Sequence, residues 1–272
     1  MRKLIAAAGL ALTGLAGVAV SWAEPPVSPD AVQPAPQRPS FPSGYLPRGA
    51  APDSNVLIPP QPAAGSPALA RDKAAARAAL ALRGTPRFEQ AAIDADLFTP
   101  DAVDVFSCAA GVKLGPDTTP KVASLLRKAG PDLAMAVYPS KTRYMRPRPF
   151  MENGKPTCTP KDEPMLRRDG SYPSGHSAIG YGWGLILAEV IPDRAAQLVA
   201  RGRAFGDSRR VCNVHWLSDV EEGRVVATAV LARMHAEPAF RADVEAARTE
   251  IETVLSRRQA PDCARETAAL GG

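Results

Sequence analysis

Three stretches of this 272-residue chain concentrate side chains that can bind or transfer an anionic group. The first contains Lys141 and Arg148, which lie seven residues apart. That spacing places both side chains on one helical face, although Pro147 and Pro149 are expected to end the helix there. Two cations on one face can converge on one anion. A solvated basic surface is the alternative, because Lys and Arg are mostly exposed.

The second stretch, Ser171-Tyr172-Pro173-Ser174-Gly175-His176, combines turn residues with the start of an apolar helical run. It is therefore expected at a helix N-terminus, where free backbone N–H groups bind anions and Gly175 lets a ligand approach the backbone. Ser174 has an alternative role as an N-cap. His176 indicates an anion more strongly, because a helix N-terminus disfavours a positive imidazole unless a bound anion compensates.

The third stretch runs from Ser208-Arg209 through His215 to Asp219. His215 and Asp219 are four residues apart on a predicted helix, so the carboxylate can accept a hydrogen bond from one ring nitrogen. This would fix the tautomer and leave the other nitrogen free as a nucleophile or base. Arg209 is expected in the loop before that helix, and a surface His–Asp pair without a role is the alternative. His235 is interpreted as structural.

Together these residues suit phosphoryl transfer, in which positioning and charge stabilisation provide most of the catalysis. Three cations, one hydroxyl and one amide are available to surround the phosphoryl oxygens: Lys141, Arg148, Arg209, Ser174 and Gly175. His215 would attack in line, and His176 would protonate the departing oxygen. Asp219 would raise the pKa of His215 while the cations lower it, and the sequence leaves that balance open.

The charge balance fits a small anionic ligand better than a nucleic acid. The net charge is +5 and falls to +3 if a targeting segment that contains Arg2 and Lys3 is removed. A nucleic-acid interface needs a dense basic face, and the Lys and Arg residues of this chain form no long run.

The N-terminus has the parts of a secretory signal peptide: the basic Met1-Arg2-Lys3, an apolar run from Leu4 to Val20, and the small-residue site Ser21-Trp22-Ala23. We expect cleavage after Ala23. An uncleaved anchor is the alternative, but the run is short for a bilayer span, which needs about 20 apolar residues. No second span is predicted, so the mature protein is expected to be soluble and free of the membrane.

Four cysteines are expected to form two disulfides in an exported chain, with three possible pairings: Cys108, Cys158, Cys212 and Cys263. Zinc binding is the alternative use of these residues. Their spacings contain no C-x2-C pair, which disfavours a structural zinc site.

The sequence divides into a signal peptide over 1–23, a Pro-rich arm over 24–65, a helical domain over 66–260 and a C-terminal tail over 261–272. Thirteen prolines between Glu24 and Pro67 block regular helix and predict an extended arm. The end of the arm, at Leu57-Ile58, is expected to dock onto an apolar surface. Residues 264–272 are expected to fray.

Beyond the arm, apolar residues recur with a helical period, and prolines stand at expected helix starts. Gly84 and Gly130 are expected helix stops. We predict an all-α fold with helices near 67–83, 86–97, 100–110, 120–129, 131–145, 163–168, 176–190, 193–205, 212–235 and 238–257.

The three stretches also resemble a known superfamily. Lys141-x6-Arg148-Pro149, Pro173-Ser174-Gly175-His176 and Ser208-Arg209-x5-His215-x3-Asp219 match the three motifs of the superfamily that contains type 2 phosphatidic acid phosphatases, bacterial non-specific acid phosphatases and vanadium haloperoxidases. The run from Gly170 to His176, with the arm and the signal peptide, resembles the class A bacterial acid phosphatases. Ser177 departs from that class, which usually has Thr there, but retains the hydroxyl.

This resemblance covers most of the chain and implies a helical bundle of the acid phosphatase and vanadium haloperoxidase type that needs no metal or cofactor. It implies a periplasmic enzyme that hydrolyses small phosphate monoesters such as nucleotides or sugar phosphates, transfers phosphoryl groups to alcohols as well as water, and forms homo-oligomers. The residue roles that it implies are phosphate binding by Lys141, Arg148, Arg209, Ser174 and Gly175, covalent catalysis by His215, orientation of that ring by Asp219, and general acid catalysis by His176.

Three other functions stay open. A vanadate-dependent haloperoxidase would hold vanadate in the same cationic cradle, with His215 as its ligand. A lipid phosphatase of the same superfamily normally has several membrane-spanning helices, which disfavours it here. A non-catalytic periplasmic anion-binding protein would need cations and amides but no oriented nucleophile. The substrate, working pH, oligomeric state and disulfide pairing are not determined by the sequence.

Overall fold

The structure is a computed structural model that describes residues 43–255 and 260–271. The predicted signal peptide over 1–23 and the first part of the arm, 24–42, lie outside the described residues. Within the described ranges every regular element is a helix, which confirms the predicted all-α fold. The α-helices are, in chain order, α1 Ser54–Leu57, α2 Pro67–Leu80, α3 Pro86–Ile93, α4 Ser107–Ala110, α5 Pro120–Met135, α6 Tyr138–Tyr144, α7 Pro149–Asn153, α8 Glu163–Leu166, α9 Gly175–Val190, α10 Ala195–Val211, α11 Leu217–Met234, α12 Pro238–Leu255 and α13 Ala264–Leu270. None of the helices in these ranges has the length and apolar character of a membrane span.

Helix α9 lies at the centre of the core because it is apolar on most of its surface. Its side chains Trp183, Ile186 and Leu187 are buried, and the helix packs against α5, α10 and α11. Helix α10 approaches α9 closely, since a Cβ on Gly202 would lie 3.0 Å from the carbonyl oxygen of Gly180. Short connections join α9 to α10 and α10 to α11. The N-termini of α9 and α11 therefore lie at the same end of the bundle as the C-terminus of α10.

The end of the arm docks onto the core, as predicted. Ile58 is buried in the main hydrophobic cluster, and the neighbouring carbonyl oxygen of Pro59 accepts a 2.7 Å hydrogen bond from the hydroxyl of Tyr172. Tyr45 is buried as well, and its ring packs edge-on against Phe240 with centroids 5.2 Å apart. The prediction missed the short helix α1 in this part of the arm.

Helix α5 continues past the predicted break at Gly130. Pro131 lies inside this helix, where its ring removes one backbone hydrogen bond. Burial offsets the cost, because Leu126 and Leu133 on either side are fully buried in the core. A new helix, α6, begins only at Tyr138. The predicted stop at Gly130 is therefore wrong, and packing outweighs the local breaker signals.

The four cysteines pair as Cys108–Cys263 and Cys158–Cys212, with Cα–Cα distances of 5.6 and 4.7 Å. The first disulfide anchors the C-terminal segment, in which Glu266 of α13 also pairs with Arg201 at 3.1 Å. The expected fraying of residues 264–272 is therefore wrong for α13. The second disulfide joins the loop after α7 to the end of α10 and so restrains the chain that leads to His215.

Candidate active site

Backbone hydrogen bonds join the three chemical stretches at this end of the bundle. The amide of Ser171 donates to the carbonyl oxygen of Arg146 at 2.9 Å, which links the first stretch to the second. The amide of Ser174 donates to the carbonyl oxygen of Asp219, also at 2.9 Å, which links the second stretch to the third. Segments far apart in the sequence thus form one site.

Asp219 orients the ring of His215. The sequence predicted His215 on a helix. It lies instead in the loop before α11, because α11 begins at Leu217. Asp219 is in the first turn, where its Oδ2 accepts hydrogen bonds from the amide of Trp216 at 2.8 Å and from Nδ1 of His215 at 3.2 Å. The i, i+4 contact therefore forms across the start of the helix.

The two contacts of the His215 ring agree on one tautomer. Nδ1 faces a carboxylate and must carry the proton, while Nε2 lies 3.0 Å from Nη1 of Arg148, which can only donate. Burial lowers the pKa of His215 well below its usual value, and Arg148, Lys141 and Arg209 lower it further. The ring is therefore neutral with its Nε2 lone pair directed at the cations, which resolves the balance that the sequence left open.

Every N–H of Arg148 has a partner. Nε donates to the carbonyl oxygen of Leu166 at 2.9 Å, and Nη1 donates to that of Val214 at 3.0 Å as well as to His215. Nη2 donates to Oδ2 of Asp169 at 3.1 Å and, more weakly, to the carbonyl oxygen of Gly170 at 3.4 Å. The guanidinium is thus held rigidly in the site.

Lys141 lies beside Arg148 and shares its partners. Its ammonium donates to the carbonyl oxygen of Gly170 and lies 3.3 Å from Oδ2 of Asp169. Burial lowers the pKa of Lys141 to about 8, with a further contribution from the positive charge of Arg148. The side chain is therefore charged at acid and neutral pH and loses its charge in mild alkali.

Arg209 lies in the last turn of α10, not in the predicted loop, because α10 extends to Val211. It is buried, and its Nε has no hydrogen-bond partner. No carboxylate of the described residues lies within ion-pair distance of its guanidinium. Burial and the charge of Arg148 lower its pKa to about 9. A buried cation without a counterion is an unsatisfied site for an anion.

The N-terminus of α9 holds the residues of the second stretch. Ser174 is the N-cap, as the alternative interpretation had it, and its Oγ accepts from the amide of Ser177 at 3.2 Å and from the Ser177 hydroxyl at 2.9 Å. The retained hydroxyl at 177 therefore fixes the Ser174 side chain and leaves the Ser174 proton available to donate. Gly175 is partly exposed, and a Cβ there would meet only Val137, at 3.5 Å.

His176 is oriented by a contact with the segment that follows α3. Its Nε2 lies 3.1 Å from the carbonyl oxygen of Ala95, just after α3, and so must carry a proton. Burial lowers the pKa of His176 well below its usual value, and the charge of Arg209 adds to this effect. Nδ1 is the atom left to gain or release a second proton.

The sequence analysis missed Arg146 and Asp72, which lie behind the His215–Asp219 pair. Nη1 of Arg146 binds Oδ1 of Asp219 at 2.7 Å, and Nη2 binds Oδ2 of Asp72 on α2, also at 2.7 Å. Asp72 also accepts from the amide and hydroxyl of Ser218 at 2.8 and 2.6 Å. One signal was available: position 72 shares the partly buried face of α2 with Leu69 and Ala79.

The carboxylates Asp72, Asp169 and Asp219 each pair with a cation of the site. Within residues 43–255 and 260–271, no group of three or more His, Cys, Asp or Glu side chains is arranged to hold a metal ion. The buried cations Lys141, Arg148 and Arg209 give the site a positive potential, which favours an anion.

Comparisons with known proteins identify the family of the chain. Residues 130–241 match the family model described as the PAP2 superfamily, and this span contains all eight predicted site residues. The chain is 39% identical over 210 residues to an acid phosphatase of Zymomonas mobilis, a match that covers 77% of this chain and 80% of the relative. It is also 39% identical to non-specific acid phosphatases of Salmonella typhi and Providencia stuartii, with coverage of 77% and 76% of this chain and 86% and 84% of the relatives.

Proposed function

The chain belongs to the non-specific acid phosphatases of the PAP2 superfamily, and from this premise we propose that it hydrolyses phosphate monoesters through a phosphohistidine at His215. One observation carries the proposal. Asp219 holds the proton on Nδ1 of the His215 ring, and the Nε2 lone pair faces Arg148. A neutral imidazole fixed in this way is an activated nucleophile that points at the place where a phosphoryl group binds.

In the first half of the reaction Nε2 of His215 attacks phosphorus, and the bond from phosphorus to the ester oxygen breaks on the opposite side. Lys141, Arg148 and Arg209 bind the phosphoryl oxygens and stabilise the charge that these oxygens carry in the transition state. The imidazole becomes positive as the bond forms, and the carboxylate of Asp219 stabilises it.

The departing oxygen needs a proton, and His176 is the residue that we propose supplies it. The carbonyl oxygen of Ala95 holds the Nε2 proton of His176, so Nδ1 is the atom that releases a proton to the alcohol. Ser174 and the Gly175 amide add hydrogen bonds to the phosphoryl group at the N-terminus of α9.

In the second half water attacks the phosphohistidine, and the now neutral Nδ1 of His176 accepts its proton. Inorganic phosphate forms, and Nε2 of His215 regains its lone pair. An alcohol that replaces this water receives the phosphoryl group and becomes a new phosphate ester. The ratio of alkyl phosphate to inorganic phosphate would then rise with alcohol concentration.

We further propose that the enzyme needs no metal, that its substrates are small monoesters such as nucleotides or sugar phosphates, and that it acts in the periplasm as a homo-oligomer. Export would leave a mature chain that begins at Glu24, which N-terminal sequencing of the periplasmic fraction tests. Activity should survive excess chelator. A loss that zinc or magnesium restores would indicate a metal mechanism instead.

The nucleophile is tested by replacing His215 with Ala. Turnover of p-nitrophenyl phosphate should be abolished, and an alkaline quench of labelled substrate should trap phosphohistidine in the wild type only. His235→Ala is the matched control, because this ring is 43% exposed and pairs with Glu189 at 3.0 Å outside the site. A His215→Ala variant with near-normal turnover would refute the assignment.

A further inference from the structure

Asp169 places a carboxylate among the cations of the site. Its Oδ2 lies 3.1 Å from Nη2 of Arg148 and 3.3 Å from Nζ of Lys141. The Asp169 side chain is 32% exposed, whereas those of Lys141 and Arg148 are 5% and 2% exposed. A carboxylate oxygen that bridges two buried cations makes the charge-assisted contacts that a phosphoryl oxygen would make there.

A phosphoryl group can reach Nη2 of Arg148 only by displacing a partner, since all five N–H groups of this guanidinium already donate. Nη2 has two partners, the Asp169 carboxylate and the Gly170 carbonyl. The Gly170 carbonyl belongs to backbone that packs closely against α6, since a Cβ on Gly170 would lie 2.6 Å from the carbonyl oxygen of Lys141. The Asp169 side chain is the partner that can turn away, because rotation about its own bonds carries it to solvent.

Arg209 offers the opposite situation. It is a buried cation with an unpartnered Nε, and none of the carboxylates that the structure describes pairs with it. An anion therefore finds Arg209 available, while Lys141 and Arg148 are held by Asp169. Phosphate therefore has to displace Asp169 to bind Lys141 and Arg148, but it displaces no carboxylate when it binds Arg209.

We propose that Asp169 is an internal anion that holds Lys141 and Arg148 until a phosphoryl group displaces it. This inference rests on the proposed function, because it concerns the same site. Displacement weakens the binding of every phosphate, including inorganic phosphate as product. Asp169 therefore limits product inhibition by returning to the cations as phosphate leaves.

The test replaces Asp169 with Asn, which keeps the shape and removes the charge. Calorimetric titration with inorganic phosphate at fixed pH and ionic strength should give a Kd about fivefold lower than in the wild type, since a partly exposed ion pair no longer competes. Asp207→Asn is the matched control, because the Asp207 carboxylate also bridges two cations, Arg224 at 2.9 Å and Arg210 at 3.9 Å, and is 36% exposed. This control should leave the Kd unchanged.

Asp169→Glu keeps the charge and should bind phosphate like the wild type. Equal or weaker binding by Asp169→Asn would overturn the proposal and make Asp169 a residue that only positions the cations. Tighter binding by Asp169→Glu as well would also overturn it, because loss of charge would not be the cause. The titration measures phosphate binding and needs no turnover. If His215→Ala kept near-normal turnover, the proposed phosphatase mechanism would fail, but the expected effect of Asp169→Asn on the Kd for phosphate would be unchanged.

Discussion

Arg146 offers a sharp test of how the proposed nucleophile, His215, is held. Its guanidinium bridges two buried carboxylates, Asp219 and Asp72, at 2.7 Å each. Burial raises the pKa of Asp219, and Arg146 is the strongest influence that opposes this rise. Arg146→Gln removes that influence and leaves two buried carboxylates without their cation.

The size of the effect follows from the burial of the pair. Removing one partner of a buried ion pair costs about 3–5 kcal/mol. If Asp219 bears about 3 kcal/mol of this cost, its ratio of ionised to protonated form falls about a hundredfold, since 1.36 kcal/mol is tenfold. A protonated Asp219 no longer stabilises the positive His215 ring that forms during attack. At a pH low enough for the protonated form of Asp219 to dominate in the variant, we therefore expect kcat to fall by up to about a hundredfold.

The sign of the pH dependence separates this role from a structural one. The pKa of Asp219 rises in the variant, and the ionised form is the active one, so activity is lost as the pH falls and returns as it rises. Profiles of kcat against pH should therefore converge towards the wild type in the range below the pKa of Lys141, which is about 8.

Two further variants complete the test. Asp72→Asn breaks the other half of the bridge and leaves the contact of Arg146 with Asp219, so it should lower the unfolding temperature but leave the profile near the wild type. Arg146→Lys keeps one charge without the fork and should lie between. A profile for Arg146→Gln that runs parallel to the wild type at every pH would refute the reasoning.

Two other variants test the acid and the cations. His176→Asn should slow alkyl phosphates by about 10²–10⁴-fold and p-nitrophenyl phosphate far less, because general acid help matters least for a stable leaving anion; equal losses would contradict this role. Lys141→Arg should keep its charge in alkali, whereas Lys141, with a pKa of about 8, becomes mostly neutral. The ratio of kcat/KM in the variant to that in the wild type should therefore rise about tenfold from pH 7 to pH 9, and a constant ratio would show that the charge of Lys141 is not needed.

The sequence predicted the helical class and the residues that meet in the site, because these depend on period and on short motifs. It was less accurate at helix ends. Gly130 and Pro131 predicted the end of a helix. The residues beside them are buried in the core, however, and α5 continues to Met135. Arg209 was predicted in a loop and lies on α10, whereas His215 was predicted on a helix and lies in the loop after α10. Tertiary packing determines these helix boundaries, and a local sequence pattern gives no information about that packing.

The residues that the motifs missed act through partners distant in sequence. Asp72 lies on α2, outside the matched span of residues 130–241, and reaches the site only because α2 packs against α11. Arg146 stands in a stretch rich in Lys and Arg, where nothing local separates a buried bridge from a solvated charge. Asp169 lies 28 residues from Lys141 and 21 residues from Arg148, so no helical or strand period in the sequence indicates these contacts.

In the proposed mechanism the two histidines need opposite protonation states although they lie beside the same cations. His215 must be neutral to attack, and burial with the neighbouring cations ensures this by lowering its pKa. The same causes lower the pKa of His176, which must be protonated to act as an acid. Substrate brings negative charge against those cations and so raises the pKa of His176. Because Ala95 already holds the Nε2 proton, the proton that is gained resides on Nδ1, the atom that must release it. In this mechanism the charge of the substrate would create the acid that cleaves it, while the resting site keeps the His215 ring neutral.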